Sequence, residues 1–222
     1  MAESNGQAAS GVGGEGGATR LPLLNEPAPA FRARTTQGER CLEDYRGRWL
    51  VLFAHPADFT PVCTSEFIAL SKAYDRFQEM GCDLLGLSID SLFAHIAWIT
   101  NIQERFGVEV PFPIVEDPSM AVARAYGMLP QRAETSATVR ATFVIDPEGM
   151  IRAITWYPMN VGRSVEELLR LLAALQTSDR GNVFTPEGWQ PGDPVLVPPP
   201  LVTPNHAAGQ PDWYFRLEPG HG

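Results

Sequence analysis

Two continuous apolar runs and one periodic stretch open the folded part of the chain. Residues 49–54 (WLVLFA) and 84–89 (LLGLSI) are almost entirely apolar, which is typical of strands buried on both faces of a sheet. Residues 61–78 between them place apolar side chains at helical spacing, at Cys63, Phe67, Leu70, Tyr74 and Phe77. The pattern predicts a strand, a helix and a second strand in this order.

The alternation continues downstream. Residues 91–105 predict a second helix, whose inner positions are Leu92, Ile96, Ile99 and Ile102. Residues 138–145 and 150–157 flank the turn sequence DPEG, which predicts an antiparallel hairpin. Residues 165–175 predict a final helix, with Ser164 as N-cap and Glu167 completing a capping box.

This order of elements predicts the fold class. A parallel strand pair extended by a hairpin gives an α/β fold with a mixed central sheet flanked by helices, the thioredoxin-like fold. We assign this domain to residues 21–178, with an insertion between the second helix and the hairpin. Residues 1–20 are rich in Gly and Ala and predict a disordered extension. Residues 179–222 predict a Pro-rich, extended C-terminal arm, whose large aromatic side chains pack on the domain or on a partner subunit.

Composition narrows the functional classes. The net charge of −9, with no block of Lys or Arg, argues against a nucleic-acid partner. No apolar run is long enough to span a membrane, and the first residues lack an export signal, so we expect a cytoplasmic protein without a membrane partner. The three cysteines include no C-x-x-C pair, so we expect no bound metal, no cofactor and no dithiol centre.

The segment around Cys63 carries the candidate chemistry. Thr60 is a good N-cap and Pro61 suits the first helical position, so Cys63 falls in the first turn of the helix. Unpaired N–H groups and the helix dipole favour an anion there, which predicts a stabilised thiolate. Pro56 can wall this pocket without adding a donor. The alternative is a buried structural cysteine, because Cys63 also lies on the apolar stripe of its helix.

The sequence "HPADFTPVCTSEF" closely resembles the active-site segment of peroxiredoxins of the AhpC/TSA family, particularly of the one-cysteine subfamily. "LLGLSIDSLFAHIAW", "VRATFVIDPEGMIRAITWYPMNVGRSVEELLRLLAALQ" and "GWQPGDPVLVPPP" resemble that subfamily in the same order, so the likeness covers about residues 20–202. The resemblance implies that Cys63 is the peroxidatic cysteine. It also implies that Thr60 and Pro56 belong to its motif, and that Arg140 completes a pocket in which Thr60 and Arg140 bind the substrate.

The resemblance also implies a function. We expect a thiol-specific peroxidase that reduces hydrogen peroxide and organic hydroperoxides to water and alcohols through a Cys63 sulfenic acid, in antioxidant defence and redox homeostasis. The arm contains no cysteine, so an external thiol such as thioredoxin or glutathione is expected to recycle the enzyme. The expected assembly is a homodimer or a decameric ring of dimers.

Other residues near these motifs receive a more modest interpretation. Arg163 is a candidate second arginine near the sulfur, and Glu66 is interpreted as a network residue or a solvated charge. His55 is interpreted as a scaffold residue, and His95 is expected at an interface or on the surface. Cys41 and Cys82 are interpreted as structural, although either could resolve Cys63.

Three alternative functions remain. The docking arm and an oligomer could support an oligomeric holdase chaperone or a peroxide-sensing relay. A Cys–His hydrolase would have His55 as its base but lacks a third member to orient it. A phospholipase activity needs a G-x-S-x-G motif, and Arg48 stands where its serine would be.

Overall fold

The computed structural model describes residues 21–129, 138–199 and 213–220, so the predicted extension at residues 1–20 lies outside the described part. The strands are β1 (Arg32–Thr35), β2 (Gly38–Cys41), β3 (Trp49–Ala54), β4 (Cys82–Ser88), β5 (Ile114–Glu116), β6 (Arg140–Ile145), β7 (Ile151–Tyr157), β8 (Val195–Leu196) and β9 (Leu217–Glu218). The helices are α1 (Pro61–Lys72), α2 (Tyr74–Glu79), α3 (Leu92–Phe106), α4 (Ala121–Ala125) and α5 (Val165–Gly181).

A mixed seven-stranded sheet forms the centre, in the order β2-β1-β5-β4-β3-β6-β7. Strand β3 pairs parallel with β4 and antiparallel with β6, and β6 and β7 form the predicted hairpin. All six residues of β3 are buried, because both faces of the sheet are covered. The predicted α/β architecture, a mixed sheet flanked by helices, is confirmed.

Alternate residues of β3 face two separate apolar layers. Val51 and Phe53 pack with side chains of α1, α2, α3 and α5 on one face. Leu50 and Leu52 pack on the other face with α4 and the segment that precedes β3. The continuous apolar run in the sequence therefore reflects burial on both sides of one strand.

The helices differ from the prediction in detail. The helix expected over residues 61–78 is divided into α1 and α2 at Ala73, whose backbone leaves the helical region. The final helix runs to Gly181, beyond the predicted end at residue 175. Ser164 accepts the predicted bond from the Glu167 N–H, but the Glu167 carboxylate binds Arg170.

The inner face of α3 is partly as predicted and partly different. Ile102, expected inside, is fully buried, and Leu92 and Ile99 are half-buried. Ile96, expected inside, is 43 % exposed, whereas His95, expected at an interface or on the surface, is fully buried with Trp98 and Ile102. The reason is polar: the His95 ring lies within hydrogen-bond distance of a carboxylate and a backbone carbonyl inside the protein. These contacts offset the cost of burying an imidazole, so the helix turns this side inward.

The sequence pattern missed the hairpin β1–β2 and the short elements β5 and α4. The hairpin consists of RART and GERC, which alternate weakly and carry charge. Strand β5 and helix α4 lie in the predicted insertion, and β5 joins the sheet beside β4.

Beyond α5, Trp189 and Val195 pack against Ala174 of the helix, and β8 pairs with β9. Trp213, Tyr214 and Phe215 are exposed. Among the described helices, none combines the length and the apolar character that a membrane crossing requires.

Candidate active site

Cys63 lies in the first turn of α1, and its side chain is fully buried. Thr60 precedes the helix in an extended conformation and Pro61 takes the first helical position, as the sequence predicted. The Thr60 hydroxyl does not cap the helix. It donates to the Ala57 carbonyl at 2.9 Å, while the Thr60 carbonyl accepts from the N–H of Thr64. The cap is therefore made by the backbone, and the hydroxyl braces the preceding turn instead.

Arg140 is the residue that the sheet brings to Cys63. It opens β6, which runs antiparallel to β3, so the start of β6 lies beside the end of β3, where the chain turns toward α1. Its Nη1 atom lies 3.5 Å from the Cys63 Sγ, although the two residues are 77 positions apart. The structure thus brings these two predicted site residues into contact inside the protein, where a guanidinium favours the thiolate.

Glu66 joins Arg140 to a second arginine. Its Oε2 atom accepts from Arg140 Nη1 at 2.7 Å and from Arg163 Nη2 at 2.8 Å, and its Oε1 atom accepts from Arg163 Nε at 2.9 Å. Burial alone would raise the pKa of Glu66, but the hydrogen bonds and charge of Arg163, followed by the charge of Arg140, hold it below its ordinary value. Two guanidiniums therefore share one carboxylate, which leaves a net positive charge beside the sulfur.

The loop before α5 holds Arg140 through a backbone carbonyl and also carries Arg163. The Met159 carbonyl accepts from Nε and Nη2 of Arg140, at 3.0 and 2.8 Å. The Arg163 guanidinium donates to the Ala141 carbonyl and lies 5.3 Å from the centre of the Phe53 ring. Sequence reasoning placed Arg163 near the site but left Glu66 open. The available signal was a carboxylate one turn after Cys63, on the side of α1 that is otherwise apolar.

Pro56 lies two residues after the end of β3 and is buried at the start of the turn that leads to Thr60. Two contacts and one strained residue shape this turn. The Thr138 hydroxyl donates to the His55 carbonyl at 2.8 Å, and the Asp58 N–H donates to Asp90. Phe59 adopts a left-handed conformation with φ of 57°, which is costly for a bulky side chain and persists where neighbours hold it.

A second buried polar cluster adjoins this turn. Asp58 accepts from the ring of His55 at 2.8 Å and from the ring of His95 at 2.7 Å, one oxygen to each. Burial lowers the pKa of His55. Among the described residues, these three side chains bring their ligand atoms within 4.8 Å of one another, as a metal site would. Their short mutual separations instead match hydrogen bonds.

The other two cysteines are free and buried, as Cys63 is. Burial strongly raises the pKa of the Cys82 thiol. A side-chain hydrogen bond to Asp44, followed by burial, raises the pKa of Cys41. A thiol with a raised pKa contains little thiolate at neutral pH and is therefore a weak nucleophile.

Known proteins resemble this chain over most of its length. Residues 24–154 match the AhpC/TSA family, and residues 174–205 match the C-terminal domain of 1-Cys peroxiredoxin. A peroxiredoxin of Aquifex aeolicus is 51 % identical over 193 residues, which cover 82 % of this chain and 87 % of the relative. A peroxiredoxin of Methanosarcina mazei is 47 % identical, covering 81 % of this chain and 85 % of the relative.

Solved structures are similar as well. A yeast mitochondrial 1-Cys peroxiredoxin, studied for its thiol resolving mechanism via glutathione/thioredoxin systems, aligns with a TM-score of 0.81 and 39 % identity over 90 % of this chain and 100 % of its own. A cysteine-to-serine mutant of peroxiredoxin 6 of Arenicola marina aligns with a TM-score of 0.77 and 31 % identity, covering 90 % of this chain and 98 % of its own.

Proposed function

This chain belongs to the AhpC/TSA family and is a thiol peroxidase; we propose that it reduces hydrogen peroxide and organic hydroperoxides through Cys63. The observation that carries the proposal is the buried contact of 3.5 Å between Arg140 Nη1 and the Cys63 Sγ. Cys63 lies in the first turn of an α-helix and in contact with a guanidinium, whereas Cys41 and Cys82 have raised pKa values.

In the proposed reaction the Cys63 thiolate attacks one peroxide oxygen. A sulfur–oxygen bond forms while the oxygen–oxygen bond breaks, so that the sulfur is oxidised and the peroxide is reduced. The departing oxygen takes the electron pair and a proton and leaves as water or an alcohol, and Cys63 becomes a sulfenic acid. Arg140 and the free N–H groups at the start of α1 stabilise the charge that develops on this oxygen.

Thr60 and Pro56 are proposed to shape the substrate position. The Thr60 hydroxyl uses its hydrogen on the Ala57 carbonyl, so its lone pairs are the part offered to a peroxide O–H. Pro56 has no N–H and closes one side of the pocket without a competing donor. Together they orient the peroxide for an in-line displacement at the sulfur.

We propose that an external thiol completes the cycle. Its thiolate attacks the sulfenic sulfur and releases water, and a second external thiol then breaks the mixed disulfide and restores Cys63. The match to the C-terminal domain of 1-Cys peroxiredoxin and the buried state of Cys41 and Cys82 support this cycle. Thioredoxin or glutathione, named for the yeast relative, are the first reductants to test. The free cysteines suit a reducing compartment such as the cytoplasm.

The test compares Cys63→Ser with Cys82→Ser. We expect Cys63→Ser to abolish peroxide consumption with a thiol donor, and Cys82→Ser to retain it. Dimedone should label Cys63 of the parent protein after one equivalent of peroxide, as located by peptide mass spectrometry. Unchanged turnover in Cys63→Ser, or labelling at Cys41 or Cys82, would overturn the proposed site.

The proposed assembly is a homodimer or a decameric ring of dimers. The edge strand β7 presents Trp156, which is 47 % exposed, and an unpaired edge is a template for pairing with a second copy. Phe59 is exposed on the turn that carries Asp58, and Phe93 and Ile96 are exposed on α3. The Asp58–His95 contact joins these two segments. A mass of twice or ten times 24.3 kDa in solution would support the two forms, and a monomer would exclude both.

A further inference from the structure

His95 lies between two hydrogen-bond acceptors. Its Nε2 atom is 3.2 Å from the Val115 carbonyl oxygen, and its Nδ1 atom is 2.7 Å from Oδ2 of Asp58. Both ring nitrogens of His95 are therefore engaged, one by the turn that carries Asp58 and the other by β5.

The surroundings of Asp58 favour its ionised form. The other carboxylate oxygen of Asp58 faces Nε2 of His55, and the Asp58 N–H is engaged by Asp90. Burial would raise the pKa of Asp58, but the hydrogen bonds from His55 and His95 hold it below its ordinary value. Asp58 is therefore a carboxylate with one histidine ring at each of its oxygens. His55 is neutral, in keeping with its lowered pKa and with an Nδ1 atom that has no partner among the described residues.

We propose that His95 is a positioning residue for the Cys63 reaction: its ring holds Asp58, and Asp58 holds the turn that carries Pro56 and Thr60. This inference rests on the proposed function. In the sequence, Asp58 lies between Pro56 and Thr60, immediately before Phe59, whose backbone is left-handed. His95 belongs to α3, so its contact with Asp58 joins the turn to a separate helix.

The burial of Asp58 explains why the turn needs this contact. A buried carboxylate that loses one of its donors carries an uncompensated charge and is expected to turn toward water. Asp58 can do so only by moving the turn, because its own backbone forms part of it. Since Thr60 and Pro56 shape the peroxide position, a displacement of about 1 Å in this turn is expected to slow the reaction by up to ~100-fold.

Two isosteric variants separate the two bonds of His95. In His95→Asn the amide nitrogen can take the place of Nδ1 and donate to Asp58. In His95→Gln the amide nitrogen can take the place of Nε2 and donate to Val115, which leaves Asp58 without this donor. We expect the rate constant of Cys63 sulfenic acid formation, measured by single-turnover stopped flow, to fall at least ~10-fold in His95→Gln and less than ~3-fold in His95→Asn.

A rate that differs between the two variants at equal thermal stability would support the positioning role. Equal rates in the two folded variants would overturn it, because both remove a buried histidine. Nitrogen NMR of the parent protein, labelled at its four histidines, gives a readout that does not depend on folding of a variant. It should show a hydrogen bond at Nδ1 of His95, and a His95 ring whose Nδ1 makes no hydrogen bond would overturn the proposal. Absence of Cys63-dependent peroxide consumption in the parent would instead overturn the proposed function.

Discussion

Cys63 and Cys82 are two cysteines with the same solvent exposure and different surroundings. Both are completely buried, and both belong to the same apolar layer on one face of the sheet. Cys63 stands in the first turn of α1, whereas Cys82 opens β4 and makes a weak contact of 3.5 Å with the Asp83 carbonyl. Burial alone therefore does not distinguish a reactive thiol from an inert one.

The difference lies in the charge that reaches each sulfur. Arg140 contacts the Cys63 sulfur directly, and Glu66 and Met159 hold its guanidinium there. Burial raises the pKa of the Cys82 thiol, and the nearby Asp83 carboxylate adds to this effect. Under the proposed function, one apolar layer thus holds a reactive thiol and an inert one, and the guanidinium of Arg140 is the clearest difference between their surroundings.

Removing that guanidinium should make the two cysteines more alike. We expect Arg140→Met to slow Cys63 oxidation by about 100- to 1000-fold, because it removes a donor aimed at the developing charge. Stopped-flow measurement of sulfenic acid formation is the readout.

Arg163→Met is the matched control for this change. Arg163 binds the same Glu66 carboxylate but makes no hydrogen bond to the sulfur. It should lower the free energy of unfolding while retaining more of the rate than Arg140→Met. Equal rate losses in the two variants would assign the effect to the network rather than to contact with sulfur.

Thr60→Val tests a smaller difference between the surroundings of Cys63 and Cys82. Cys63 has the Thr60 hydroxyl at the start of its helix, whereas Cys82 opens a strand. We expect peroxide turnover to fall about tenfold, because the substrate loses one orienting acceptor. Thr60→Ser should restore most of it. Thr64→Val is the control, as it removes a hydroxyl on the same turn that accepts from Trp98. Comparable losses in Thr60→Val and Thr64→Val would argue against a specific role for Thr60.

Acid should lower the free energy of unfolding by protonating Glu66, which binds Arg140 beside Cys63. The folded pKa of Glu66 lies below its ordinary value of 4.5, so its ionised form stabilises the fold at neutral pH. That contribution is complete above about pH 4.5 and is lost as the pH falls through the folded pKa. Urea unfolding across this range should show a smaller decline for Glu66→Gln than for the parent. An identical decline would exclude Glu66 as a contributor.

The smallest effect is expected at the inert cysteine. Cys82→Ala removes a buried sulfur from the apolar layer and should lower the free energy of unfolding by about 1 kcal/mol. Peroxide turnover should stay within twofold of the parent, since the variant touches no group of the proposed site. A large loss of turnover in a folded Cys82→Ala protein would make Cys82 a participant and would break the comparison.

Much of the fold could be predicted because its signals are local. The apolar run of β3 and the Thr60-Pro61 start of α1 each fix an element within a few residues, and both lie where the sequence placed them. The hairpin β1–β2 was missed because its short, charged strands lack an apolar face. The resemblance, rather than any local pattern, associated Arg140 with Cys63, since their contact depends on the pairing of β6 with β3.

The polar contacts of the site could be predicted least. Glu66 and His95 look like surface residues in the sequence, because charged and imidazole side chains are rarely fully buried. Their burial depends on partners far along the chain: Arg140 and Arg163 for Glu66, and Asp58 for His95. Such pairing becomes visible only when the tertiary structure is known.

The separation of Cys63 and Arg140 by 77 positions also sets an order of events during protein synthesis. A ribosome that adds about 5–20 residues per second produces Arg140 roughly 4–15 s after Cys63. During that interval the nascent chain carries a cysteine without its guanidinium, and β6 has yet to join the sheet. Under the proposed function, peroxide reactivity is therefore acquired only on completion of the fold, so an unfinished chain is spared the chemistry that the mature enzyme performs.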